Sequence, residues 1–212
     1  MNIQEMHDTF NEKLDKSDND WFTPEETDNW LNLATLQFVK DKHDFFEADE
    51  KVRTALHYLV RTLRLPNVSE INVKTFVNDY LYTLALEAEW EDSCQESGYR
   101  SRPIRAVQID DIAKMKRDPF NKPIDDDPVY VQETNFGSSD PLLKVYSDTT
   151  PGFIVIRYLK MPATLSLSQN VSSDLHESVH EEIVDIAVRK AMVPIQDEMY
   201  PIQKQESIEN KS

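Results

Sequence analysis

The chain has 212 residues, 39% of them apolar, and a formal net charge of −16. This apolar content is enough for one ordinary hydrophobic core, and the acidic balance argues against sequence-specific nucleic-acid binding because such a surface repels phosphate. Only Gly98, Gly137 and Gly152 occur, so a Walker loop, a G-x-G-x-x-G fingerprint and a G-x-S-x-G nucleophile elbow are absent, which excludes nucleotide and hydrolase chemistry of those kinds.

The N-terminal residues and the single cysteine bear on where the protein is made. Residues 1–5 have neither the positive patch nor the apolar run of a signal peptide, and no stretch approaches 18 uninterrupted apolar residues. We therefore expect a protein that is neither exported by that route nor inserted in a membrane. Cys94 has no second cysteine to pair with, which is typical of synthesis in a reducing compartment.

Three helices are predicted in the N-terminal third, over residues 2–16, from Pro24 to about Lys40, and in a segment that ends at Leu65. Thr23, Pro24 and Glu26 have the spacing of an N-cap, a first-turn proline and a capping-box glutamate. Pro66 disfavours helical geometry in the residue before it. Short polar links between the helices predict an antiparallel helical layer. The apolar stripes are Ile3, Met6, Phe10 and Leu14; Trp30, Leu31, Ala34 and Phe38; and Val52, Leu56, Leu59, Val60 and Leu63.

After Pro66 the apolar residues recur at every second position instead of every third or fourth. The segment 82–91 alternates apolar and polar residues, as a strand with one dry and one wet face requires, with Tyr82, Leu84, Leu86, Ala88 and Trp90 on the dry face. A short helix is expected to be capped by Asp110, to carry Ile112 and Met115, and to end at Asp118. Such runs of strands favour an antiparallel sheet. Further strands are predicted at residues 103–109, 129–133, 142–146 and 153–160.

A last helix is predicted after the cap candidate Ser173, ending before Pro194 and packing back on the N-terminal helices. Its apolar stripe is Leu175, Val179, Ile183, Ile186 and Ala187. The sequence thus predicts an α+β fold in which a β module is inserted into a helical bundle. The predicted division is residues 1–66 for the first part of the bundle, 67–168 for the β module, 169–193 for the completing helix and 194–212 for a polar tail.

One segment has the spacing of a catalytic zinc site. His176, Glu177 and His180 form an H-E-x-x-H pattern, in which two imidazoles one helical turn apart bind zinc and the glutamate acts as general base. The extended form of the motif fails, because Ile183 and Ile186 stand where glycine and histidine are expected. Glu198 has the spacing of an alternative third ligand, but it lies between Pro194 and Pro201, where a helix is disfavoured. We therefore interpret the pair as incidental surface histidines on an amphipathic helix, and predict no catalytic, cofactor or metal residues.

Other residue types with chemical potential are assigned structural roles. The run Asp125–Asp127 has the composition of a cation site, but it precedes Pro128 and a strand, so a solvated turn is expected. Acidic neighbours disfavour a reactive thiolate at Cys94. No basic groove accompanies Trp21, Trp30 and Trp90, which are expected in the core rather than in a nucleic-acid stacking platform.

Five segments of the chain carry a resemblance to a known family: residues 2–7, 30–40, 118–123, 157–162 and 180–184. Through them the chain resembles the neck ring, or head-to-tail adaptor (connector), subunits of crAss-like bacteriophages over nearly its full length. The resemblance implies a helical bundle with an inserted β module, assembled as a ring of about twelve copies between portal and tail.

This resemblance also implies a place and a set of partners. The protein would be made in the bacterial host cytoplasm and would reside in the virion neck. It would contact the portal and other neck or tail proteins and let double-stranded DNA pass without sequence-specific binding, part of its negative charge lining the channel. Two alternatives stay open: a zinc metallohydrolase that uses residues 176–180, and a monomeric adaptor that binds another protein through its helical layer.

Overall fold

A computed structural model describes residues 1–14, 22–66, 69–134 and 140–193. The chain divides into two compact units, a helical unit formed by Met1–Leu59 and Pro162–Ser212 and a β module formed by Val60–Met161. The predicted α+β class with an inserted β module is confirmed. Trp21 and the predicted polar tail at 194–212 lie outside the described residues.

The described part of the chain contains six α-helices and eight strands in the following order. The helices are α1 (Ile3–Lys13), α2 (Pro24–His43), α3 (Glu50–Leu56), α4 (Val73–Phe76), α5 (Ile109–Met115) and α6, of which residues 180–193 are described. The strands are β1 (Val60–Pro66), β2 (Glu70–Asn72), β3 (Tyr80–Glu91), β4 (Tyr99–Pro103), β5 (Arg105–Ala106), β6 (Val129–Thr134), β7 (Pro141–Tyr146) and β8 (Phe153–Lys160). Single 3-10 turns follow α3 (His57–Leu59) and precede α6 (Glu177–Val179).

Capping boxes begin the first two helices. At the start of α2 the N–H of Glu26 donates to the Thr23 hydroxyl over 3.3 Å, and the Glu26 carboxylate accepts from the N–H of Thr23 over 2.8 Å, as predicted. At the start of α1 the same reciprocal pair joins Asn2 and Glu5, with both contacts at 2.8 Å. The sequence analysis placed helix α1 correctly but did not identify its cap.

Removing the α2 cap should have a small, measurable effect. We expect Thr23→Ala to lower the free energy of unfolding by about 1 kcal/mol, because the N–H of Glu26 loses its acceptor. Urea denaturation of the full chain measures the change. Thr54→Ala is the control, since the Thr54 hydroxyl donates only to the Glu50 carbonyl within its own helix. An equal loss in both variants would contradict the capping role.

The prediction that the third helix continues to Leu65 is wrong. Helix α3 ends at Leu56, and residues 60–66 form strand β1, which pairs antiparallel with β8. Leu63 follows Leu59 at a helical spacing but also precedes Leu65 at the two-residue spacing of a strand, and the pairing with β8 gives this backbone a hydrogen-bonding partner. The first unit boundary therefore falls after Leu59 rather than after residue 66, and the second falls before Pro162 rather than before residue 169.

The β module contains two four-stranded sheets. One has the order β1-β8-β3-β4 and the other the order β2-β7-β6-β5. All pairs are antiparallel except β5 with β6, which is parallel. Strands β6, β7 and β8 lie where they were predicted. The strand predicted at 103–109 is wrong, since β4 ends at Pro103, β5 is two residues long and α5 begins at Ile109.

Both sheets contribute to one core, and α5 packs on the second sheet. Leu86, Ala88 and Trp90 of β3 are buried as the alternation predicted, whereas Tyr82 and Leu84 are half-buried. Helix α5 places Ile112 against Val129 and Val131 of β6. Gln108, not Asp110, precedes its first turn, and no side chain caps it. The main core consists of Leu65, Ile71, Val73, Leu86, Ala88, Trp90, Ile104, Leu143, Val145, Ile154, Ile156 and Tyr158.

Helix α6 packs with the N-terminal helices, as predicted. Lys13 of α1 contacts Asp185 at 2.6 Å and Glu181 at 3.3 Å, and the hydrogen bond to Asp185 raises the pKa of Lys13. Lys42 of α2 contacts Glu182 at 2.8 Å. The buried face of α6 consists of Ile183, Val184, Ala187, Val188 and Ala191. Within the described ranges, no helix is both long enough and apolar enough to span a bilayer.

Candidate functional site

The two histidines of the H-E-x-x-H segment occupy different environments. His176 precedes the 3-10 turn and caps it, since its Nδ1 accepts from the N–H of Ser178 over 3.2 Å. Its ring stacks on Tyr58, with centroids 6.0 Å apart. His180 begins the α-helical part and is only 2% exposed. The interpretation as a pair of surface histidines on a helix is therefore wrong, because the helix begins only at the second one and buries it.

The ring nitrogens of His180 are not arranged for a metal. Nε2 lies 3.1 Å from the carbonyl oxygen of Leu175, and because that oxygen only accepts, Nε2 carries the proton. Nδ1 is buried and has no hydrogen-bond partner among the described residues. Burial lowers the pKa of His180 below its usual value of 6.5, and the Leu175 carbonyl opposes this shift. The geometry gives a neutral, structural imidazole.

No metal centre is present in the parts of the chain that the structure describes. Across residues 1–14, 22–66, 69–134 and 140–193, no three His, Cys, Asp or Glu side chains converge in a way that could hold an ion. Glu177 is exposed between the two histidines. The chemistry of a zinc hydrolase requires a third protein ligand, and the described residues do not bring one to His176 and His180.

The acidic run Asp125–Asp127 is a structural turn, as expected. Each carboxylate has its own partners in the β module, so the three do not share one centre. Asp125 accepts from the N–H and the hydroxyl of Thr149 over 2.8 and 2.7 Å. The cationic partners are Arg100 and Arg102 for Asp126, and Arg105 for Asp127.

The remaining candidates also have structural surroundings. Cys94 is exposed, and its backbone N–H donates to the Asp92 carboxylate over 2.9 Å. Trp90 is buried in the β core and donates its indole N–H to the Thr149 carbonyl over 3.4 Å. Trp30 is half-buried against Phe22, with ring centroids 6.2 Å apart.

A buried polar cluster in the helical unit was not predicted. His7 of α1 and Asp28 of α2 are 4% and 9% exposed, and His7 Nε2 lies 2.7 Å from an Asp28 oxygen. The same carboxylate accepts from the N–H of Leu167 over 3.0 and 3.1 Å. One helical turn later, Asn32 donates to the Leu165 carbonyl over 3.0 Å and accepts from the Leu165 N–H over 2.7 Å. Asp28 and Asn32 thus hold the segment that leads to α6.

The signal for this cluster was present in the spacing of α1 and α2. His7 lies four residues after Ile3 and three before Phe10, and Asp28 lies three residues before Leu31, so both occupy buried stripes. A polar residue on a buried helix face needs a partner, because an unpaired group there is costly. The sequence could not show that His7 and Asp28 pair with each other, because this depends on how α1 and α2 pack.

An apolar groove lies between α2, α3 and α6, and we call it the α2–α6 groove. It encloses about 600 Å³. Phe38 and Val52 form buried parts of its wall, whereas Phe45 and Val193 are 59% and 58% exposed. The charged residues around it are Asp41, Lys42, Asp49, Glu182, Arg189 and Lys190.

Phe120 stands at the tip of a fixed turn in the β module. It is 96% exposed, the highest value of any large apolar residue among those the structure describes. Asp118 accepts from the N–H of Phe120 over 3.0 Å and from the side-chain amide of Asn121, and these two donors hold the pKa of Asp118 below its usual range. Lys122 contacts Asp148 at 2.6 Å. We call residues 118–122 the Phe120 turn.

No protein-family model matches the chain, and no curated protein matches it.

The buried state of His180 predicts a pH dependence of stability. Because its folded-state pKa is below 6.5, the unfolded chain binds a proton more readily. The stabilisation that the buried neutral ring of His180 provides is complete above its unfolded-state pKa. It is lost as the pH falls from there to the lower folded-state pKa. We expect the melting temperature to fall between about pH 7.5 and pH 5.5.

His180→Gln should reduce this slope, since the glutamine amide can donate to the Leu175 carbonyl and does not titrate. His176→Gln is the matched control, because His176 is only half-buried. Differential scanning calorimetry at several pH values measures both slopes. A His180→Gln slope equal to that of the unmodified chain would contradict this assignment.

Proposed function

We propose that the chain is a structural subunit of a ring in the neck of a crAss-like bacteriophage, placed between portal and tail. The observation that carries the proposal is the exposure of large apolar side chains in a chain of net charge −16. Phe120, Phe45, Val193 and Leu33 are each at least half exposed. Phe45 and Val193 lie on one groove, and clustered exposed apolar surface favours contacts with other proteins. The resemblance of the sequence to connector subunits supports the more specific role.

A ring requires a contact that repeats around a closed circle. Such a contact is heterologous, because one surface of a subunit meets a different surface of the next. We infer about twelve copies from the resemblance. Mass photometry of the full chain with the portal protein present tests the proposal, and the expected result is a species heavier than the portal alone by about twelve times the 24.7 kDa chain mass. A chain that stays monomeric in the presence of the portal protein would contradict the ring proposal and favour the adaptor alternative.

The negative charge has a role in this proposal. Part of it would face the channel, so that passing DNA is repelled and does not adhere to the wall. The test is a map of the electrostatic potential inside the assembled ring. An acidic inner wall is expected, and a basic inner wall would refute this part of the proposal.

The zinc-hydrolase alternative is tested separately by metal analysis of the dialysed protein. We expect less than stoichiometric zinc, because Nε2 of His180 already donates to the Leu175 carbonyl. Stoichiometric zinc that is abolished by His180→Ala would overturn the proposal of a structural role.

A further inference from the structure

We propose that residues 194–202, which we call the 194–202 segment, bind the α2–α6 groove of the same chain. The inference goes beyond the proposed function, because it assigns an occupant to the groove in the free subunit. That occupant is the part of the chain that directly follows the described residues of α6.

The groove leads to the 194–202 segment. The residues of α6 that line it recur at spacings of three and four, as one face of a helix requires, and they are Glu182, Ile186, Arg189, Lys190 and Val193. Val193 is also the last described residue of α6. The chain therefore continues from a residue that itself lines the groove.

The length of the segment is sufficient to cover the groove. The α6 wall from Glu182 to Val193 is about 16 Å long at the rise of an α-helix. An extended stretch of the length of residues 194–202 reaches up to about 30 Å. Pro194 lacks the backbone N–H that a further helical turn needs, which disfavours continuation of α6. The segment is thus long enough to turn back and follow the whole α6 wall.

The apolar residues that follow α6 are concentrated in this segment. It contains Ile195, Met199, Tyr200 and Ile202, whereas Ile208 is the one large apolar residue in the rest of the sequence. The apolar part of the sequence after Val193 is therefore the part that lies within reach of the groove.

The groove offers matching apolar surface. Phe38 and Val52 form buried parts of its wall, and Phe45 and Val193 are 59% and 58% exposed. Contact with the apolar side chains of the segment would remove apolar surface from water on both sides. Burial of this kind is the main favourable term in association.

The covalent connection, rather than charge, selects the chain's own segment. The groove has three carboxylates and three cationic side chains, so its charges are balanced. A segment tethered next to its binding surface has an effective concentration in the millimolar range, which favours it over a separate molecule. Another protein would reach the groove only by displacing the segment.

Thiol labelling of the full chain tests the contact. Asp41→Cys in a Cys94→Ser background places a single thiol on the α2 wall of the groove, where Asp41 is exposed. A second chain carries the same thiol and a substituted segment. We expect a maleimide to react about fivefold or more faster with the second chain, because its segment no longer covers the thiol. The four changes in that segment are Ile195→Ser, Met199→Ser, Tyr200→Ser and Ile202→Ser.

Lys40→Cys is the matched control. Lys40 is the preceding residue of the same helix, is exposed, and does not line the groove. The thiol at position 40 should react at the same rate with either form of the segment. Equal acceleration at positions 40 and 41 would mean that the serine substitutions loosen the helical unit, and it would overturn the inference.

The remaining outcomes separate this inference from the proposed function. Equal labelling rates at position 41 with both forms of the segment would overturn the inference. Protection that increases with protein concentration would place the segment of another copy in the groove and would overturn it as well. Neither result bears on ring formation, which mass photometry measures separately. A protected thiol in a chain that forms no ring with the portal protein would overturn only the proposed function.

Discussion

Replacing Asp28 with alanine should lower the free energy of unfolding by about 3 kcal/mol. The Asp28 carboxylate contacts His7 at 2.7 Å and accepts from the N–H of Leu167, and the His7–Asp28 pair is almost fully buried. Its removal leaves the buried His7 ring nitrogen and the part-buried Leu167 N–H without an acceptor. Urea denaturation followed by circular dichroism measures the change.

Asp41→Ala is the matched control for this variant. Asp41 lies on the same helix, is exposed, and only accepts a 3.3 Å hydrogen bond from Gln37. Its removal should change stability by less than about 0.5 kcal/mol. If Asp28→Ala were no more destabilising than Asp41→Ala, the polar cluster would not hold the segment that precedes α6.

Replacing Leu143 with alanine should have an effect of similar size in the β module, about 3 kcal/mol. Leu143 is fully buried in the core to which both sheets contribute, and its register partner Ile71 is buried as well. The large-to-small change leaves a cavity that the surrounding strands cannot fill. Urea denaturation followed by circular dichroism measures this loss of unfolding free energy.

Leu142→Ala provides the control for the β module. Leu142 is the preceding residue of the same strand, it is only half-buried, and successive strand side chains point to opposite faces. We expect a loss of about 1 kcal/mol or less. An equal loss of unfolding free energy at Leu142 and Leu143 would contradict the alternating burial along β7, in which Leu143 faces the core and Leu142 does not.

The sequence predicted elements well where one local signal dominates. Helix α2 begins as Thr23, Pro24 and Glu26 indicated, because the cap is a local hydrogen-bond pattern. Strand β8 agrees in its bounds with the predicted segment 153–160. The third helix was extended too far because Val60 and Leu63 continue the helical spacing, although Leu63 and Leu65 have the spacing of a strand. The pairing of β1 with β8, which is distant in sequence, decides between them.

The H-E-x-x-H segment shows the limit of spacing arguments at a candidate site. The spacing places both histidines on one helical face only if the whole segment is helical. The α-helical part begins at His180, so the two rings have separate partners, Tyr58 for His176 and the Leu175 carbonyl for His180. Likewise, His7 and Asp28 could be recognised as buried polar residues, but their pairing depends on how α1 and α2 pack.

Electron cryomicroscopy of the full chain mixed with the portal protein tests the central proposal most directly. We predict class averages of a closed ring with about twelvefold rotational symmetry stacked on the portal. Isolated globular particles that never associate with one another or with the portal would contradict the account.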